Sequence, residues 1–295
     1  MPRITIVHTT KYRYRNPVGL TRHRMMLRPD DSHDLRLHDA TLSIDPAPAS
    51  TRWAHDVFNN SICFIEWPAD LRTDHLTIVS TLELIHYPEG PDLPNYMLDP
   101  SAEFMPFSYA EREIPDLVHL IKPQTPDPDG HVRAWAERFL SRDGRTGTLN
   151  MLAAMTHAIK ADFRYEERYA YGTQTAAETI ALGSGTCRDF AVLMMEALRS
   201  LGLAALFVTG YLYDDDKSGA VRGGGSTHAW CSVYLPGAGR LEYDPTNGLI
   251  AGSNLVRVGI TRTAEQASPI SGGYIGDASD ALGLDVCVAV SAVPN

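Results

Sequence analysis

The run GSGTCRDFAVLMMEALRSLG, residues 183–202, decides how this chain is read. Gly183 and Gly185 supply flexible backbone just ahead of Cys187. Phe190, Leu193, Met194, Ala197 and Leu201 then recur on one helical face, and Gly202 stands where a helix would end. The spacing predicts a helix that begins at Cys187 and carries the thiol in its first turn. Backbone N–H groups at a helix start have no intrahelical partner, and the helix dipole favours negative charge there. A thiolate and a developing oxyanion would therefore be stabilised by one element.

Working towards the C-terminus, three strand-like runs follow, Ala204 to Tyr213, His228 to Leu235 and Arg240 to Asp244, separated by Asp-rich and Gly-rich turns. His228 comes after Gly223-Gly-Gly-Ser-Thr227 and opens an alternating strand. Alternation puts His228 and Trp230 on one face and Ala229, Cys231 and Val233 on the other. Asp244 closes the next run, before Pro245, sixteen residues after His228. A hairpin of that length would bring His228 and Asp244 side by side on neighbouring strands. A thiol nucleophile needs a base, and the base needs an orienting group. Cys187 as nucleophile, His228 as base and Asp244 as orienter meet that need, with Arg188, Asp189, Thr227 and Trp230 as supporting or substrate-binding candidates. The same alternation separates His228 from Cys231 and argues against a zinc site. Asp214-Asp-Asp216 reads as a solvated turn rather than a calcium loop. Neither a metal nor another cofactor is expected.

Working towards the N-terminus, helical periodicity appears at Val132, Trp135, Phe139 and Leu140, again over Leu149 to Ile159, and after Thr175, which has capping-box spacing with Glu178. Helices followed by an antiparallel sheet make an α+β unit over 131–295. Before it, Pro88, Pro91, Pro94, Pro100, Pro106, Pro123, Pro126 and Pro128 mark a connector with short helical pieces over 91–130. Residues 1–90 are β-rich, with short runs at Ile4 to His8, Thr41 to Ile44, Ile62 to Trp67 and Leu76 to Ile85, and with a turn over Asp56 to Asn60. They predict an antiparallel β-sandwich or barrel.

Composition narrows the function. The chain has 295 residues, 44% of them hydrophobic, and a formal net charge of -10. That balance opposes binding to phosphate backbones or anionic lipid, so neither nucleic acid nor membrane is an expected partner. No run has transmembrane length or the form of a signal peptide, and the four cysteines show no short paired spacing. A reducing, cytoplasmic setting is the expectation.

Four ordered motifs then carry a resemblance: Gly-Thr-Cys187-Arg-Asp-Phe, Leu206-Phe-Val-Thr-Gly-Tyr211, His228-Ala-Trp230 and Tyr243-Asp244-Pro-Thr-Asn247. Together they resemble the core of the transglutaminase-like superfamily. His8 to Tyr14, Arg24 to Pro29 and Asp56-Val-Phe-Asn-Asn60 resemble the β-rich N-terminal domain of its bacterial branch, the transglutaminase-like cysteine proteases. The resemblance implies a papain-like thiol fold with Cys187, His228 and Asp244 in the catalytic roles. It also implies that the segment with Arg262, Pro269 and Gly272-Gly273 returns towards the active site. Arg188 stands where many relatives have Gln, and Arg240 where a Trp often precedes the last strand. A hydrolase acting on peptide or amide bonds through a Cys187 thioester is the leading expectation. Acyl transfer to an amine, and a non-catalytic peptide-binding or assembly module, are the alternatives.

Overall fold

The computed structural model describes residues 3–87, 98–142, 144–168, 172–213, 227–250 and 254–293. Asp214-Asp-Asp216, the glycines at 223–225 and Pro88, Pro91 and Pro94 lie outside the described residues. The N-terminal strands are β1 (Arg3–Leu20), β2 (His23–Arg28), β3 (Leu35–Asp45), β4 (Ser50–His55), β5 (Ser61–Glu66) and β6 (Thr73–His86). Period-two burial explains them: Ile4, Ile6, His8 and Thr10 of β1 and Leu76, Ile78, Leu82 and Leu84 of β6 are all buried, whereas their neighbours are less so. Their side chains share one face because β1 and β6 pair antiparallel, Ile4 opposite Leu84 and Ile6 opposite Leu82. The second sheet, carrying Met25, Leu27, Cys63 and Ile65, closes over that face to form a sandwich. Asp56 makes the predicted β4–β5 turn by accepting hydrogen bonds from the N–H groups of Phe58 and Asn60, both at 2.9 Å.

The helices are α1 (Ile114–Ile121), α2 (His131–Glu137), α3 (Thr148–Asp162), α4 (Ala176–Leu182) and α5 (Cys187–Ser200). After them come β7 (Ala205–Leu212), β8 (Thr227–Leu235), β9 (Gly239–Asp244), β10 (Leu255–Thr261) and β11 (Ala281–Val293). Every residue of α5 from Asp189 to Arg199 is buried, so this helix is central rather than amphipathic at a surface. It packs on the β8 face that carries Ala229, Cys231 and Val233, with Leu152, Met155 and Trp135 in the same core. The five-stranded sheet runs from a short strand at Leu249–Ile250 through β9–β8–β7 to β10, and every neighbouring pair is antiparallel. The architecture is α+β. No helix among the described residues is long and apolar enough to cross a membrane.

The C-terminal strand returns to the N-terminal sheet: β11 pairs with β1 from Arg3 opposite Val293 to Tyr14 opposite Ala281. The N-terminal sheet supplies its backbone partner, far away in the chain where no local pattern identifies it, while Leu282, Leu284 and Val286 of β11 stay exposed. The segment before it also docks on the N-terminal unit: Met26 N–H donates to the Pro269 carbonyl at 2.8 Å and Thr21 N–H to that of Gly273 at 3.0 Å. Gly272 thus serves close backbone approach to His23, where a Cβ would lie 2.4 Å from the ring, and the Gly273 carbonyl accepts from the Thr21 hydroxyl at 2.8 Å. The units also meet at β10, where the Asn60 amide exchanges two 2.9 Å hydrogen bonds with the backbone of Ile260.

Gly210 on β7 lies opposite His228, and a Cβ there would stand 2.1 Å from the Val256 carbonyl oxygen and 2.7 Å from Cη2 of Trp230. Only glycine lets β10 and the indole approach this closely. Gly210→Ala should destabilise the fold by about 2–3 kcal/mol, the usual scale of overpacking. Urea unfolding checks it; a midpoint equal to wild type would show that the sheet absorbs the methyl group.

Candidate active site

Two buried carboxylates build the site. The first belongs to Asp189, which is fully buried. It closes a capping box at the start of α5: Thr186 N–H and the Thr186 hydroxyl donate to its Oδ2, each at 2.9 Å, and its own N–H turns back to the Thr186 hydroxyl at 3.4 Å. Its Oδ1 accepts from Arg168 Nη2 at 2.8 Å and from Gln174 N–H at 2.7 Å. This box fixes the first turn and sets Cys187 as its first residue. Gly185 makes it possible, since a Cβ there would lie 2.9 Å from that of Asp189. Gly183, at φ 62°, ends α4 in the left-handed conformation just before.

The second carboxylate is Asp244, also fully buried. Its Oδ2 receives His228 Nε2 at 2.9 Å and Asn247 Nδ2 at 2.7 Å, and its Oδ1 receives the N–H groups of Thr246 at 3.0 Å and Asn247 at 3.3 Å. Burial alone would raise its pKa, but the charge and hydrogen bond of His228 and the bonds from Asn247 hold it below the usual carboxylate value. For His228 burial favours the neutral ring. The charge and hydrogen bond of Asp244, followed by the thiol of Cys187, overcome that and push the imidazole up to about 10. An imidazolium–carboxylate pair is therefore the neutral-pH state.

Cys187 acts on the same ring. Asp244 occupies Nε2, so Nδ1 is the nitrogen left to the thiol, yet buried Nδ1 makes no hydrogen bond of ordinary length and angle. Hydrogen bonds of this kind are commonly long or poorly aligned before substrate arrives. The body of α5 lies on the opposite face of β8, and its first residue is the one that reaches His228. Cys187 is 8% exposed and His228 1% exposed, so the pair is shielded from solvent.

The other candidates divide. Trp230 is fully buried and stacks on His228, with centroids 6.0 Å apart and planes at 27°. Asp189 supports the first turn of the helix that carries Cys187, while Arg188 beside it is half-buried and forms no ion pair among the described residues. Thr227 precedes His228 on β8, opposite Tyr211. Arg168, Gln174 and Asn247 were missed as support for the two carboxylates. The Asp244-Pro-Thr-Asn247 turn was a usable signal for Asn247; nothing local marks Arg168 or Gln174. Among the described residues no three His, Cys, Asp or Glu side chains gather to hold a metal.

Residues 4–84 match the family described as the bacterial transglutaminase-like N-terminal region, and residues 131–245 match the transglutaminase-like superfamily. An uncharacterised protein of Mycobacterium tuberculosis is 30% identical over 98% of this chain and 92% of its own length. One of Mycobacterium leprae is 25% identical over 99% of both. The crystal structure of a candidate cysteine protease from Cytophaga hutchinsonii superimposes with a TM-score of 0.70 at 16% identity, over 100% of this chain and 92% of that one. It shares the fold.

The protonation state can be tested. His228 stabilises the fold fully below its ordinary value of 6.5, and that contribution is lost as pH rises through about 10. The Asp244 contribution is present above the ordinary carboxylate value and is lost as pH falls below it. Asp244→Asn should leave a neutral His228 ring at pH 7, because burial then outweighs what remains. Imidazole carbon and nitrogen chemical shifts report it; an imidazolium persisting in the variant at pH 7 would contradict the assignment.

Proposed function

Given that the chain belongs to the transglutaminase-like superfamily, we propose that it is a cysteine-dependent amide hydrolase using Cys187, His228 and Asp244. The buried 2.9 Å bond between His228 Nε2 and Asp244, with Cys187 acting on the same ring, carries this reading. In it the Cys187 thiolate attacks the amide carbonyl carbon, and the carbonyl π pair moves to oxygen. The N–H groups of Cys187 and Arg188 supply hydrogen bonds to that oxyanion, because the capping box satisfies the Asp189 N–H but not theirs. The oxyanion collapses, the C–N bond breaks, and the His228 imidazolium gives its Nδ1 proton to the departing amine. Water then attacks the thioester as His228 takes a proton back, releasing the acid and regenerating the thiolate. Asp244 stays ionised and keeps the ring's orientation throughout.

Transfer to an amine would share every step up to the thioester and differ in the group that resolves it. The expected partner is therefore a peptide or other amide. Incubating the protein with glutamine peptides, a broader peptide library and a labelled amine should give release of the amine product without label incorporation. Incorporation of the label would favour the transferase instead. Cys187→Ser should abolish turnover, and Asp244→Asn should lower it by a factor on the order of 10⁴, as loss of the orienting carboxylate does in serine proteases. Turnover retained in Cys187→Ser would rule out the thioester route.

A further inference from the structure

One hydrogen bond at Nε2 fixes a point on the His228 ring, not its plane, and Nδ1 makes no bond that would fix it. The stacked indole of Trp230 constrains that plane. An indole is itself set by its N–H, and Trp230 Nε1 donates to Glu242 Oε2 at 2.7 Å. The other oxygen of Glu242 accepts from Arg257 Nη1, and Arg257 Nη2 reaches Asp34 Oδ2 at 3.5 Å. Asp34 is anchored in the N-terminal unit, where its carboxylate accepts from the Ser32 hydroxyl and its carbonyl accepts from Tyr87 N–H at 2.6 Å. The chain of contacts thus runs from the loop before β3, across β10 and β9, to the ring over His228. Each link has a separate donor and acceptor, and Arg257 spends one nitrogen on each carboxylate.

We propose that Asp34, Arg257 and Glu242 are positioning residues that hold the Trp230 indole against His228, so that seating of the N-terminal unit sets the orientation of the imidazole towards Cys187. The inference rests on the catalytic reading of Cys187 and His228. It assigns the N-terminal unit a part in the chemistry that the Cys-His-Asp set alone does not require. The charged groups around the chain are consistent with it. Glu242 stands near the two cations Arg257 and Arg240, and of these two only Arg257 is ion-paired with it among the described residues. His228 itself faces Asp244 and Cys187. Among the described residues Glu242 and Asp34 carry no hydrogen bond to any of those three, and Trp230 is the side chain through which their contacts reach the His228 ring.

The test is the rate of Cys187 alkylation by iodoacetamide from pH 5 to 9, with labelling located by mass spectrometry and folding checked by thermal melting. His228→Ala is the control for the underlying reading: a wild-type profile in that variant would overturn both the reading and this inference. If His228→Ala changes the profile, Arg257→Gln and Asp34→Asn should each slow alkylation near pH 6 by about five- to tenfold, within the usual coupling between contacting groups. Arg257→Gln combined with Trp230→Phe should be no slower than the slower single variant, because both cut one chain. Asp34→Asn, made in a partly exposed loop, keeps the test open should Arg257→Gln fold poorly. Folded variants with the wild-type profile, or effects that simply multiply in the double variant, would overturn the positioning role while leaving the catalytic reading intact.

Discussion

The His228–Asp244 pair places opposite charges side by side where water does not reach either. Removing two ions from water costs more than their mutual attraction returns unless the remaining lone pairs and protons also find partners. The C-terminal end of β9 is organised around that requirement. Pro245 stops the strand, the chain turns back, and Thr246 and Asn247 aim two backbone N–H groups and one amide at the carboxylate. Four donors converge on Asp244, and the pair is stable as an ion pair because the turn completes it.

Asp189 is solved in the same way one helix away. It too is fully buried and receives four donors, but its task is mechanical: it closes the first turn of α5 and ties the chain around Arg168 and Gln174 to it. Cys187 and His228 are thus fixed by separate carboxylates on separate elements. Such a division lets the helix be packed rigidly from Asp189 to Arg199 while His228 Nδ1 is left without a hydrogen bond.

Period and turn chemistry made much of this legible. The start of α5 followed from Gly183, Gly185 and the apolar face, and the hairpin holding His228 near Asp244 followed from alternation and Pro245. What stayed hidden depends on long-range pairing. β2 and β4 are short and both pair on β5, and β4 buries none of its side chains; β11 needs β1, and its alternation could equally have served an edge strand of the second sheet. Arg168 and Arg257 are ordinary basic residues in sequence, and only the fold brings each to a carboxylate. The same holds for Glu242, whose position two residues before Asp244 suggested nothing until the register put it on the face of Trp230.

The adjacent pair Arg188-Asp189 shows why local charge counting misleads here. In sequence the two cancel. In the fold Asp189 turns inward and both its oxygens are occupied, by Thr186 on one and by Arg168 and Gln174 on the other. Arg188, half-buried on the next position of the helix, forms no ion pair among the described residues. The cation paired with Asp189 comes from before α4 instead, so the Arg188 charge is not neutralised within the first turn. That leaves a cation on the first turn of α5, at the end where the helix dipole is positive.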